Sequence, residues 1–214
     1  MSEPKNNRNV LLFSWLLTVV VSLLAVLAWS SDYYGHFKHV GAYDLFPLLG
    51  LLAFSIMWSQ YVSGAIAELF DISSKVLKSY FAYTGYAVLL LICLHPSILV
   101  VQRYADGYGL PPGSYKSYVQ PSLQLALFLG PVSLLIFLAY KLKRFFDKQH
   151  WWVYVTAAVD IAMLAIFYHG LELGSQLADG WFRTLWVFYG IVLMVILAHK
   201  YITLFVRYRA KSGK

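Results

Sequence analysis

Charge is scarce in this sequence: only 13% of its 214 residues are Asp, Glu, Lys or Arg, while 60% are hydrophobic and 18% aromatic. A soluble domain of that length exposes far more charge, so a water-soluble fold is excluded. Cysteine is scarcer still. The single Cys93 lies within an apolar run, which leaves no disulfide framework and no thiolate metal cluster and makes it a small buried hydrophobe. Internal repeats and low-complexity segments are not evident. Small residues in a cleavage pattern are missing after the first apolar run, which therefore reads as an uncleaved span rather than a signal peptide.

What the chain has instead is long apolar runs. A hydrocarbon core of roughly 30 Å needs about 20 apolar residues of helix. Six runs meet that length, at about 10–29, 44–66, 79–101, 121–140, 151–171 and 181–201. Asp44 and Pro47 mark the start of the second and Pro121 that of the fourth. The segment QRYADGYGLPPGSYKSYVQ between the third and fourth reads as a turn-rich surface loop. The expected fold is all-α, a polytopic membrane protein forming one six-helix bundle, in contact with membrane lipid. The net charge of +7 does not point to nucleic acid, because basic loops flanking membrane spans produce the same figure.

The distribution of lysine and arginine sets an orientation. Lys5, Arg8, Lys75, Lys78, Lys141, Lys143, Arg144, Lys148, Arg207, Arg209, Lys211 and Lys214 fall on one side, with Lys200 at its boundary; Lys38, Arg103, Lys116 and Arg183 fall on the other. That bias places both termini in the cytoplasm. The expected location is the bacterial inner membrane or the plasma membrane. Trp29, Tyr33, Tyr34, Tyr104 and Trp181 on the opposite side suit an interfacial belt.

Histidine inside a span is expensive without a partner. His95 stands seventeen residues past Lys78, and His169 nineteen past His150. At about 1.5 Å per residue both lie roughly 25–28 Å from the cytoplasmic edge. Two helices running the same way thus carry an imidazole at one depth, a placement that suits the two axial positions of a haem iron. Equally, each could be a lone polar group bonded to a neighbouring helix. His199 lies near the cytoplasmic boundary, at the wrong level to join them. His36, His39 and His150 fall in loops or at a helix edge, and a surface metal site at His36 and His39 is a weak alternative to solvated side chains.

Asp160 is a carboxylate near the middle of the fifth span, a functional candidate on that ground alone. Its nine-residue offset from His169 turns it to the opposite face of the helix. It reads as a hydrogen-bond partner for another helix, through Gln60, Ser59 or Thr84, or as part of a proton relay. A transporter would call for discontinuous helices with Gly or Pro in mid-span in paired halves, which the runs do not suggest.

The stretch LHP within LLLICLHPSILV, with Gly85 ten residues before His95, resembles the third helix of the ferric reductase-like transmembrane domain family. That family includes the membrane parts of ferric reductases and NADPH oxidases and is similar to the bacterial haem subunit that serves methionine sulfoxide reduction. The resemblance implies six helices, b-type haem, electron transport and oxidoreductase chemistry. It implies haem iron held by His95 and His169, and Arg103 and Arg183 as partners of the haem propionates, with Glu172 shaping access to the outer mouth. Two stacked haems are usual in the family, but Phe81 and Val155, each fourteen residues before an expected ligand, occupy the places of the inner pair. One outer haem is therefore expected, as in the STEAP metalloreductases. No flavin or nicotinamide domain is expected in this chain, which has no glycine-rich phosphate loop. The reductant would be a separate flavin-containing reductase or a membrane quinol, and the acceptor would lie outside. The alternative is a haem-less scaffold or assembly subunit that keeps the fold.

Overall fold

A computed structural model of the chain describes residues 3–31, 40–73, 75–142, 146 and 148–212. Among them are seven helices and no strand: α1 (Glu3–Ser31), α2 (Ala42–Leu69), α3 (Lys78–Ala105), the short α4 (Gly113–Lys116), α5 (Gln124–Tyr140), α6 (Trp152–Leu173) and α7 (Gly180–Ser212). All but α4 are long and apolar enough to cross a membrane, α5 when taken with the 3-10 turn before it as Pro121–Tyr140. His36 and His39 lie outside the described residues, as do Tyr33, Tyr34, Lys38, Lys143, Arg144 and Lys214.

Helices α1, α2, α3 and α7 overrun their apolar runs at both ends, because hydropathy marks only what suits hydrocarbon whereas the hydrogen-bond ladder continues into polar sequence. The 33 residues of α7 reach about 50 Å at 1.5 Å each, well beyond the hydrocarbon core. The loop after the third span begins only past Ala105 and includes α4. At the start of α2 the Gly41 amide donates to the Asp44 carboxylate at 2.8 Å, satisfying one of the otherwise unpaired first-turn groups. Before α5 a single 3-10 turn runs from Pro121 to Leu123, the position where proline's missing donor costs nothing. Pro47, Pro96 and Pro131 lie inside α2, α3 and α5, which remain unbroken.

Helix α2 is the central post. From Ala53 to Ser59 every residue is buried, as expected of a helix surrounded on all sides. It packs against α1, α3, α6 and α7, while α5 packs chiefly on α6. The bundle thus contains two tight hairpin-like pairs, α2–α3 and α5–α6, with few contacts between α3 and α5. Small residues and polar bonds hold the tight interfaces. Thr18 on α1 meets Ser59 of α2 at 2.8 Å and the Tyr80 hydroxyl of α3 at 2.9 Å. Such cross-helix bonds contribute about 0.6 kcal/mol each in a membrane bundle. Trp58 stacks on Tyr189 at 4.3 Å and donates its indole N–H to the Tyr189 carbonyl at 2.9 Å. Trp186 lies 4.2 Å from Phe54, ring centre to ring centre, so aromatic packing joins α7 to the central post.

Candidate functional site

The looser seam between the two helix pairs holds a cavity of about 400 Å³, within the range of small-molecule sites. Its walls are mostly apolar, with Leu51, Phe54, Met57, Leu127, Leu134 and Phe137 among them. His95 from α3 and His169 from α6 both line it. Their ring centres are 6.4 Å apart and their planes stand at 85°. Equal depth, read from residue counts, has become close approach.

Each imidazole is held in the same way. His95 Nδ1 lies 2.6 Å from the Phe46 carbonyl, and His169 Nδ1 lies 2.8 Å from the Ala126 carbonyl. A carbonyl oxygen only accepts, so Nδ1 carries the proton in both rings. In the neutral imidazole Nε2 then keeps the lone pair, the form that ligates a metal. Four residues beyond each acceptor is a glycine, Gly50 on α2 and Gly130 on α5. A Cβ on Gly50 would stand 2.9 Å from His95 Cε1, and one on Gly130 would stand 2.9 Å from His169 Cε1. Each ring therefore lies in a notch that only glycine leaves open. The two helix pairs repeat this carbonyl, notch and ring arrangement although their sequences show no repeat.

Two nitrogens each about 2 Å from a shared metal, and each about 1 Å from its own ring centre, put those centres about 6 Å apart. The observed 6.4 Å suits that geometry. Among the described residues no group of three or more His, Cys, Asp or Glu side chains is arranged to hold a metal ion. The pair fits a metal that arrives with its other ligands, as in a flat macrocycle, better than a bare ion.

The other expected site residues lie elsewhere. Arg103 does not line the cavity; it is buried, donates to the Ser114 carbonyl at 3.3 Å and the Ser117 hydroxyl at 2.6 Å, and lies 3.4 Å above the Tyr108 ring. It knits the loop after α3. Arg183 donates to the Leu177 carbonyl at 2.6 Å and likewise stands off the cavity wall. Polar groups that do line the cavity are Tyr115, Tyr118, Glu172 and Gln176. Tyr115 and Tyr118 belong to the loop, where burial raises both phenols above their ordinary range; the nearby Arg103 pulls Tyr118 partly back.

Asp160 is 3% exposed and bonds across helices, but not to Gln60, Ser59 or Thr84. It accepts from the Tyr61 hydroxyl at 2.9 Å, Lys200 Nζ at 2.5 Å and the Tyr201 hydroxyl at 2.8 Å. Gln60 and Thr84 bond each other at 2.8 Å, and Ser59 is engaged with Thr18 and Tyr80. Helical phase sets the face of Asp160, whereas Lys200 stands at the end of an apolar run, where lysine ordinarily marks the membrane boundary. A second cavity adjoins this cluster and is lined by Phe81 and His199. Val155 is half-buried and lines neither cavity.

Fold and site together define an integral membrane helix bundle with an apolar chamber between two anchored imidazoles. No protein-family model, curated protein or solved structure matches the chain.

Proposed function

We propose that this protein is a membrane b-type cytochrome of ferric reductase-like type, with one haem between His95 and His169, that passes electrons to an acceptor on that side of the bilayer. One observation carries the reading: two imidazoles with anchored Nδ1 atoms face each other at 6.4 Å across an apolar chamber. When bound, the haem would supply reversible one-electron chemistry.

The chain's own part is positional. The Phe46 and Ala126 carbonyls fix the tautomer and aim of each ring, which raises its basicity as a ligand. Gly50 and Gly130 let the rings lie flat on α2 and α5. The aliphatic and aromatic walls exclude water, which shapes a bound metal's potential. Tyr115, Tyr118 and Glu172 give the chamber a polar rim. Phe81, in place of an inner ligand, limits the protein to one haem. The lysine and arginine bias puts the chamber in the outer half of the membrane, with electrons arriving from a flavin-containing reductase or a quinol on the other side.

The test is an absorption spectrum of protein purified from haem-replete cells. A Soret band with a reduced α-band of bis-histidine type is expected. His95→Ala and His169→Ala each abolish it and His199→Ala does not. A colourless, folded wild-type protein would overturn the reading and favour the haem-less scaffold.

A further inference from the structure

Nine residues before His169, or about 13 Å along the axis of α6, Asp160 borders the second cavity of about 320 Å³. That volume lies at the small end of ligand sites. Its chemistry is divided. One edge carries the Asp160 cluster, where Lys200 spends one of three ammonium hydrogens on the carboxylate and its side chain is 35% exposed, leaving donors for a ligand oxygen. Elsewhere on the wall is Gln60, whose amide nitrogen donates to Thr84 and whose carboxamide keeps further hydrogen-bonding capacity. Between these polar groups, and beside Glu68, Thr156 and His199, the wall carries the rings of Phe81 and Tyr140 and the side chains of Val159 and Ile196. Phe81, on a membrane-spanning helix, is 37% exposed, which leaves an apolar ring at the edge of the cavity for a tail to follow.

These features exclude several occupants. A second bis-histidine haem lacks ligands, because His199 is the only imidazole on the wall among the described residues. A nucleotide needs several cations, whereas Lys200 is already paired and the wall also carries Glu68 and Asp160. The fit is to a flat, uncharged ring with oxygens that accept hydrogen bonds and an apolar tail that leaves between helices. We propose that this cavity binds the head group of a lipid-soluble quinone, with one ring oxygen on Lys200 and the other near Gln60. The proposal deepens the electron-carrier reading, on which it rests for its purpose, by placing the quinone-class partner at a defined site.

The experiment is an equilibrium titration of the purified full chain in lipid nanodiscs with a decyl-tailed benzoquinone. Saturable one-site binding is expected. Ala65→Phe, which projects a ring from the cavity wall, and Gln60→Leu, which removes the polar partner, should each weaken binding at least tenfold, with folding followed by gel filtration and thermal melting. His95→Ala should bind the quinone as wild type does. Absence of saturable binding, or wild-type affinity in folded Ala65→Phe and Gln60→Leu proteins, overturns the proposal whatever the haem spectrum. Quinone binding at this wall in a protein without a Soret band supports the cavity assignment and refutes the electron-carrier reading.

Discussion

Adding one methyl group at Gly50 or Gly130 should separate ligand positioning from folding. A Cβ at either place would lie 2.9 Å from an imidazole Cε1, whereas carbon atoms in contact prefer roughly 3.5–4.0 Å. The ring must retreat by about 0.6 Å or more to relieve the clash. Each ring lies flat on its glycine, so that movement runs across the ring plane: it bends the Nδ1–H bonds of 2.6 and 2.8 Å out of line and carries each Nε2 off its aim. Disturbing the partners that orient a metal-ligating histidine typically costs 10–100-fold in metal affinity. The helix itself gains from the change, by up to about 1 kcal/mol, because alanine is the better helix former. On the proposed haem reading, Gly50→Ala and Gly130→Ala are therefore expected to bind haem about 10–100-fold more weakly while melting no lower than wild type without haem. Gly64→Ala is the control, since its Cβ would meet only Phe81 Cζ, at 3.9 Å. Haem titration of the apoprotein, read at the Soret band, measures all three. Wild-type affinity in both notch variants, or an equal loss in Gly64→Ala, would refute the reasoning.

Asp160→Leu removes one partner of a buried ion pair, a change that usually costs 3–5 kcal/mol; with Lys200 partly exposed, a loss of about 3 kcal/mol is expected in detergent unfolding. The double variant Asp160→Leu, Lys200→Met should recover most of it, and failure to recover would show that the tyrosine bonds dominate. Arg103→Lys loses the flat guanidinium whose Nη2 reaches both Ser114 and Ser117 while stacked on Tyr108, so protease should cut residues 106–120 faster without shifting the Soret band proposed for the chamber. The folded-state phenols of Tyr115 and Tyr118 are raised by burial. A group raised on folding stabilises fully below its unfolded value, about 10 for tyrosine, and loses that contribution as pH climbs through the folded one. The loop should hold its protease resistance to about pH 10 and lose it above, and Tyr118→Phe should blunt the transition.

The spans and the common level of His95 and His169 were legible because both depend on properties of single residues and a fixed rise. An apolar run reports its solvent, and counting from a basic boundary reports height. The 6.4 Å approach of the rings was legible only as equal height, since which helices are neighbours is a tertiary fact. The notches were not legible. Gly50 and Gly130 look like ordinary small residues in apolar helices, and their meaning depends on a side chain 45 and 39 positions away in sequence. Asp160 shows the same limit from the other direction. Its face followed from helical phase, but its strongest partner, Lys200, lay on a helix whose polar end was read as the membrane boundary, and α7 in fact continues to Ser212.

The distribution of small and polar residues explains why the cavities lie where they do. Helix α2 is bound to α1 and α3 by buried hydroxyl bonds and to α7 by stacked aromatics, and α5 lies close against α6. Between α3 and α5 contacts are few, and each cavity draws lining residues from both helices. Imidazoles mark the chamber at one level and the Asp160–Lys200 pair marks the cavity nearer the opposite end. A membrane bundle gains no hydrophobic drive from closing such a seam, because lipid is as apolar as the helices. Close packing would have required small residues facing one another there, whereas the seam carries Phe81, Phe137 and Tyr140. The bulk of these side chains keeps the seam apart, and the polar groups along it give each opening its own chemistry.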